Sequence, residues 1–428
     1  MKNDFRLCFA AAAIAAGCVS LGGCGGSDDV LPVTITVTGP NAVSAWNETG
    51  TATINAAATP TGSAAEQRPN ITLDLATMHL AIYDALMAIG GSYKPYAITP
   101  AADANGASPE AAVHAAAYGV LKGLYPNRAA LYQPAYDAAV AALPSGDAKA
   151  KGLALGAEVA QRLLALRGDD GRSVVLAAYV PGTAPGQFRG TAPVNRQAPF
   201  TKPLALMSAA QFRAAPPPAL DSAAYATDFN ETRTLGSTNS TTRTPEQLEA
   251  ARFHTEPPPR FWPRNLRNFA MTDRPLAEHA RLMAMVYTTQ ADAEIACFES
   301  KYFYQAWRPF SAIALADTDG NAATAADPAW TPVVATPNHP EYPAAHSCVS
   351  SAIGEALKAY YRTGEVSFKF DSTVTSTTHS YTTTQALIDD AQIARIVGGM
   401  HFRFSTVAGI TLGTNVGRWV AANQFQPR

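Results

Sequence analysis

Net charge is what this chain most lacks: 32 Lys and Arg offset 34 Asp and Glu, giving a formal −2 at pH 7 over 428 residues. Nothing in that balance argues for nucleic acid or another polyanionic surface, so a small bound anion has to be held by a local cluster of cations. Long apolar runs are missing after residue 24, where none approaches the roughly 20 residues that a membrane helix needs. Cysteine is scarce as well. Of five, Cys8, Cys18 and Cys24 fall in the first 24 residues, and only Cys297 and Cys348 remain beyond them. An exported protein can keep a disulfide between those two, and two separate buried thiols fit the sequence equally well. No repeat of fixed period is present. What the chain has in plenty is apolar side chains, 47% of its residues, enough to bury a full core.

The opening stretch, MKNDFRLCFAAAAIAAGCVSLGGC, has a basic start (Lys2, Arg6) followed by a short apolar, small-residue run. It reads as a secretory signal over residues 1–23. Leu21-Gly22-Gly23-Cys24 resembles a bacterial lipoprotein box, in which Cys24 is lipidated and becomes the mature N-terminus. The expectation is a soluble domain exported to the periplasmic side of a bacterial membrane and held there by lipid alone, or a secreted protein. Residues 24–45 read as a tether and a short strand, because Gly-Gly-Ser-Asp-Asp is followed by alternating Val33–Thr38 bounded by Gly39-Pro40. Residues 46–428 read as a single helical domain.

From about Leu73 onward the signals are helical. Ser108-Pro109-Glu110 and Thr244-Pro245-Glu246-Gln247 each place an N-cap candidate before a proline, the second with Gln247 at capping-box spacing. Periodic runs cover 108–124, 127–142, 147–167 and 245–256, then 276 to about 308, 346–361 and 384–420, the last interrupted by Gly398-Gly399. Residues 180–220 are rich in Pro and Gly and read as a long surface excursion, one that can lie over an active site, rather than a domain linker. The fold class expected is therefore all-α, a helical bundle with at most a short N-terminal strand.

Three stretches gather chemistry, the core of it within about 276–420. In KYFYQAWRP, Lys301 and Arg308 are seven residues apart, which on a continuous helix puts both cations on one face. In PNHPEYPAAHSC, Pro343 stands where a helix begins and His346 follows; proline suits the first helical turn, whose free N–H groups make an anion site. In ARIVGGMHFRFS, Arg395 and His401 would diverge on one helix, and Gly398-Gly399 can break it so that they converge. Read singly, each is ordinary: a solvated helix face, a cap histidine, a glycine hinge.

Taken in order, K-x6-R-P, P-x-x-H and R-x5-H resemble the three-part signature of the vanadium-dependent haloperoxidases and the related acid phosphatases, the type 2 phosphatidic acid phosphatase superfamily. Lys301, Arg308, Pro309, Pro343, His346, Arg395 and His401 all match, and the resemblance is firm over about 295–410. It implies that Lys301, Arg308 and Arg395 neutralise the equatorial oxygens of vanadate or phosphate, with the backbone N–H groups of Ala344 and Ala345 as uncharged donors. Arginine suits this because its planar fork pairs two oxygens at once. It implies further that His401 is the axial ligand of vanadium, or the nucleophile of a phosphohistidine, and that His346 is the general acid/base. In the peroxidase, vanadium(V) is a Lewis acid for hydrogen peroxide, Lys301 polarises the bound oxygen, and halide attacks it.

The sequence departs from the pattern in four places. Ala344 and Ala345 stand where the family has Ser and Gly, Ala394 stands where a serine is common, and Ser405 replaces the aspartate that orients the last histidine. A hydroxyl holds an imidazole tautomer less strongly than a carboxylate does. His339, seven before His346, is similarly placed to a second histidine of the family's bromoperoxidases, so bromide is expected over chloride. Length also favours the peroxidase, with vanadate as cofactor and hydrogen peroxide and halide as substrates. The alternative is an acid phosphatase acting on a phosphomonoester, and a further one is a non-enzymatic oxyanion-binding lipoprotein. Members of the family often form dimers, so a homodimer is the assembly the resemblance allows. His254 and Phe261-Trp262 read as core packing, with a place in the pocket lining as the alternative, His379 as a residue of a Ser/Thr-rich loop, and His79 and His114 as helix core or surface.

Overall fold

Caps and prolines set most helix boundaries where the sequence places them. The computed structural model describes residues 31–59 and 61–428, and among these it has fourteen α-helices, about 55% helix, and one three-stranded sheet. The N-terminal set is α1 (Ala42–Ile54), α2 (Ala64–Gln67), α3 (Ile71–Gly90), α4 (Pro109–Leu124), α5 (Ala129–Ala142) and α6 (Asp147–Leu166). Ser108 caps α4 by accepting from Ala111 N–H, with Pro109 in the first turn. Against the expectation that no run after residue 24 approaches a membrane span, α3 is long and apolar enough to cross a membrane, the one such helix among the described residues, because it is a core helix: its residues 72–87 are buried within the bundle.

Residues 167–222 run without a helix longer than one 3₁₀ turn, as the Pro/Gly content predicts. The segment is anchored by Asp292, whose carboxylate accepts the N–H groups of Leu204, Ala205 and Leu206. Then come α7 (Ala223–Leu235), α8 (Pro245–Phe253) and α9 (Pro258–Leu266). The Thr244/Gln247 capping box that opens α8 is formed on both sides.

The C-terminal set is α10 (Leu276–Tyr304), α11 (Pro309–Ala314), α12 (Ala345–Tyr361), α13 (Thr384–Val397) and α14 (Arg403–Asn423). The central α10 is buried over most of its 29 residues. α12 and α14 lie close because Gly413 presents no side chain: a Cβ there would collide with the carbonyl of Cys348. Cys297 and Cys348 form a disulfide with Cα atoms 6.4 Å apart, cross-linking α10 to α12 one turn from Lys301 and two residues from His346.

The mostly helical fold is as expected, with one addition. β1 (Val33–Thr34) pairs in parallel with β2 (Val366–Ser372), which pairs antiparallel with β3 (Thr377–Tyr381). In β2, Val366, Phe368, Phe370 and Ser372 are buried in alternation, the period of a half-buried strand. The Ser/Thr-rich loop of the sequence reading is thus a hairpin, and His379 sits on β3. Its threonines, β-branched, suit a strand as well as a loop.

Candidate oxyanion-binding active site

Lys301 and Arg308 meet, but not on one helix face. α10 ends at Tyr304, and Gln305 turns left-handed at φ 48°. Arg308 is extended (φ −80°, ψ 156°) as the N-cap of α11, because Pro309 disfavours helical geometry in the residue before it. Both cations are wholly buried. Lys301 Nζ donates to the carbonyls of Pro340 and Glu341, each at 2.9 Å. Arg308 is the hub. Nε donates to His339 O at 2.8 Å, Nη1 donates to Met400 O at 2.9 Å and lies 3.0 Å from His401 Nε2, and Nη2 lies 2.9 Å from His339 Nδ1.

Pro343 lies just outside the helix rather than in its first turn. It follows Tyr342 through a cis peptide, Ala344 is the N-cap and Ala345 the first helical residue. Of the two backbone donors expected here, only one is available. Ala344 N–H donates to Ser405 O at 3.0 Å, because α14 packs its start against this entry. The first intrahelical bond of α12 runs from Cys348 N–H to Ala344 O, so the N–H groups of Ala345, His346 and Ser347 belong to the unpaired first turn. No side chain caps it.

The glycine pair acts as the sequence suggests. α13 ends at Val397, Gly399 adopts φ 76°, and the N–H groups of Met400 and His401 both fold back on Arg395 O. Arg395 and His401 thereby reach one site. Arg395 Nη1 lies 3.3 and 3.4 Å from the ring nitrogens of His346, Nη2 donates to His254 O at 3.0 Å, and Nε has no partner among the described residues.

Glu341 is the functional candidate that sequence reasoning missed. Its Oε1 lies 2.9 Å from His401 Nδ1 and accepts Phe402 N–H at 3.0 Å. Ser405 Oγ, expected to orient the ring, is the weaker contact at 3.4 Å. A carboxylate thus fills from α12's entry loop the place of the aspartate missing from α14. It holds the Nδ1–H tautomer and leaves the Nε2 lone pair facing Arg308. The available signal was an acidic residue between His339 and His346, inside a motif otherwise chosen for cations.

The electrostatics are lopsided. Lys301, Arg308 and Arg395 are all buried, and Glu341, the one fully buried carboxylate at the site, acts on Lys301 and Arg308, while the half-buried Asp390 acts on Arg395. Burial pulls Arg308 down to about 10; burial and then Arg308 pull Arg395 to about 9 and Lys301 well below the ordinary lysine value. Glu341 is pushed up to about 7 by burial, against the pull of Lys301 and Arg308. His339, His346 and His401 are all driven well below 6.5, first by burial and then by the neighbouring guanidinium groups, so their rings are neutral. At an effective dielectric near 20, a charge pair about 4 Å apart is worth roughly 4 kcal/mol, so an anion placed here offsets the repulsion among three cations. With the partnerless Arg395 Nε, the surplus of cations fits a tetrahedral oxyanion such as vanadate. Among the described residues no group of three or more His, Cys, Asp or Glu is arranged to hold a bare metal ion.

A cavity of about 700 Å³ opens onto this site through His339, Ala345, His346 and Arg395. His254 and Trp262 border it as well, while Phe261 packs into the core beside Phe253 and Phe370. His254 also begins a second cluster. Its Nε2 lies 3.0 Å from Asp390, which lies 2.8 Å from His379 Nδ1, and His379 Nε2 lies 2.7 Å from Glu249. Tyr381 donates to the same Asp390 oxygen at 2.7 Å. His379 therefore belongs to a half-buried ionic chain rather than an idle loop. His79 is core, stacked on Tyr287, and Trp46 donates to His114. Cys24 lies outside the described residues.

Residues 281–426 match the family model described as the VCPO second helical-bundle domain, a span that contains every residue of the cradle. No curated protein matches the chain. Among solved structures it is similar to the first bacterial vanadium-dependent iodoperoxidase, with 21% identity over 92% of this chain and 100% of that one, at a TM-score of 0.73. It is similar also to a holo-type bacterial vanadium-dependent chloroperoxidase (15% identity, 90% and 98% covered, TM-score 0.63) and to an apo-type one (15%, 82% and 92%, 0.61). At such identities the likeness is one of fold. The superfamily that the three motifs resemble is the one that sequence model and fold both support: this chain has the vanadium haloperoxidase fold, and residues 281–426 match the model of that family's second helical-bundle domain.

Proposed function

We propose that the protein is a vanadate-dependent haloperoxidase, which oxidises halide with hydrogen peroxide. The observation that carries this reading is the cradle: three buried cations with a single fully buried carboxylate, Glu341, beside His401 Nδ1 and the Arg308 guanidinium beside His401 Nε2. The structural relatives are named as vanadium-dependent iodo- and chloroperoxidases, one of them holo-type, which supports vanadate as the anion. When bound, vanadate supplies a Lewis acid for hydrogen peroxide.

The chain's own residues do the rest. Lys301, Arg308 and Arg395 hold the oxyanion's oxygens, Ala345 N–H adds an uncharged donor, and His401 Nε2 offers the nitrogen ligand. Glu341 fixes the ring that makes this offer. His346, neutral and half-buried at the cavity wall, accepts a proton at its imidazole from incoming peroxide and returns it to the leaving oxygen. The net reaction takes halide, hydrogen peroxide and one proton to hypohalous acid and water. Bromide over chloride is the finer reading. It rests on His339, packed on Arg308 and edge-on to Phe298 at 5.1 Å. Export and a lipid on Cys24 complete the proposal, and labelled-palmitate incorporation that vanishes in Cys24→Ala tests that part.

The catalytic test adds orthovanadate to purified protein and measures peroxide-dependent bromination, beside phosphate release from an aryl phosphate. Bromination lost in His401→Ala is the expected result. Phosphate release without bromination would transfer the cradle to the phosphatase reading, and silence in both assays to a binding protein.

A further inference from the structure

One covalent bond stands beside the cradle, and the proposed reaction makes no use of it. The Cys297–Cys348 disulfide joins α10, which carries Lys301 four residues further on, to α12, which carries His346 two residues earlier. Little else ties the two helices at that end. Among the described residues, hydrogen bonding between α10 and α12 is confined to Tyr360 Oη on Glu278, at the far end of both. Lys301 grips the loop before α12, through the Pro340 and Glu341 carbonyls, and not the helix itself. Cys348 is also where α14 touches α12 most closely, with Gly413 against its carbonyl. A shift of α12 at Cys348 therefore moves His346 and the open first turn relative to Lys301.

The bond also borders the route by which peroxide reaches the cradle. Ile295 and Phe298 stand beside Cys297, and Ala345, His346 and Val349 beside Cys348, and all of them line the cavity. Both cysteines are wholly buried. Once the chain has folded, burial closes them to exchange with another protein's disulfide, but a molecule as small as hydrogen peroxide has the cavity as its approach.

Resting on the haloperoxidase reading, we propose that Cys297 and Cys348 form a redox switch on the cradle: as two thiols they leave α12 loose against α10 and vanadate weakly held, and the substrate hydrogen peroxide closes them into the tight-binding form. The step balances. The Cys348 sulfur attacks one peroxide oxygen as the oxygen–oxygen bond breaks, and the departing hydroxide takes the thiol proton as water, leaving a sulfenic acid. The Cys297 sulfur then attacks that sulfur, the sulfur–oxygen bond breaks, and the second hydroxide leaves with the second thiol proton. Two thiols and one hydrogen peroxide give one disulfide and two waters, the sulfurs oxidised and the peroxide oxygens reduced. Vanadate is then held firmly where its co-substrate is present.

The test is equilibrium dialysis of orthovanadate against the full chain in three states: oxidised, reduced by a phosphine, and reduced then treated with hydrogen peroxide, each reagent being removed beforehand. Free thiols are counted in denaturant for each state. Reduction should weaken vanadate binding by about ten-fold, the usual effect of loosening the support behind a ligand shell. Peroxide should restore the affinity while the thiol count falls by two, and Cys297→Ala/Cys348→Ala should stay at the weak level throughout. Equal affinity in the oxidised and reduced states, or thiols that survive peroxide, overturns the inference. So does recovery of the double variant on peroxide treatment. If the folded protein resists the phosphine, protein refolded under reductant supplies the dithiol state, and if the double variant does not fold, the unaltered protein decides alone. No halide enters this assay, so a working switch in a protein that brominates nothing would sink the haloperoxidase reading only. Bromination by a protein whose vanadate affinity ignores its thiols would sink this inference only.

Discussion

Two clusters of ionisable groups, one half-buried and one wholly buried, meet at His254, and they are built on opposite rules. The chain Glu249–His379–Asp390–His254 alternates acceptor and donor, with Tyr381 closing on Asp390. Burial works against the charged forms there, yet the hydrogen bonds win: His379 is held above the ordinary histidine value by Asp390 and Glu249, and Asp390 well below the ordinary carboxylate by His254 and His379. In the cradle no such balance exists, and burial leaves every cation below its ordinary value. A cluster that satisfies itself is finished architecture. A cluster with an uncompensated excess of one sign is architecture waiting for its counter-charge, and that excess marks the binding site.

Removing a cation from the cradle should cost binding, not stability. Arg395→Met is expected to lower orthovanadate affinity at least about 100-fold by equilibrium dialysis, near 3 kcal/mol, while urea unfolding without vanadate changes by no more than about 1 kcal/mol. An unfolding loss as large as the binding loss would erase the distinction. The balanced cluster should behave in reverse. Asp390→Asn leaves His379 with Glu249 as its only carboxylate and is expected to lower unfolding stability by about 2 kcal/mol with less than about a three-fold change in vanadate affinity. Smaller in effect is Glu341→Gln, which keeps a hydrogen-bond acceptor but loses the charge behind His401; dialysis should show vanadate affinity down by about ten-fold.

The smallest effect is in pH. His379 has a raised folded value, so its stabilisation is full below the ordinary 6.5 and fades as pH rises through the raised value. Asp390 has a depressed one, so its share is present above the ordinary 3.8 and is lost as pH falls through the depressed value. The stability gap between the unaltered protein and Asp390→Asn should therefore be widest in mildly acidic buffer and narrow on the alkaline side. A gap that widens with alkalinity would show that His379 is not the charged partner.

Much of this was legible in the chain. Thr244-Pro245-Glu246-Gln247 announced α8, Gly398-Gly399 announced the break between α13 and α14, and the runs at 109–124 and 147–166 appear within two residues of where periodicity put them. The residues that gather in the cradle, Lys301, Arg308, His346, Arg395 and His401, were named by type and order. The errors share a cause. Seven residues is nearly two turns, which predicts one helix for Lys301 and Arg308, but Pro309 and Gln305 end the helix between them. Nothing near Ala344 in sequence competes for its N–H, which predicts a donor to the anion, whereas Ser405, far along the chain, takes it.

By itself, the sequence determined what local physics can determine. Caps, prolines, glycines and apolar period act over one or two turns, and they fixed the helices and the kinds of side chain delivered to their ends. Only the tertiary structure decided the pairings: Glu341 with His401 across 60 residues, Arg395 with the His254 carbonyl across 141, and the disulfide between Cys297 and Cys348. Hydrogen bonds at such separations carry no periodic signature. They exist because packed helices bring the groups within 3 Å or so, where burial makes a missing partner costly.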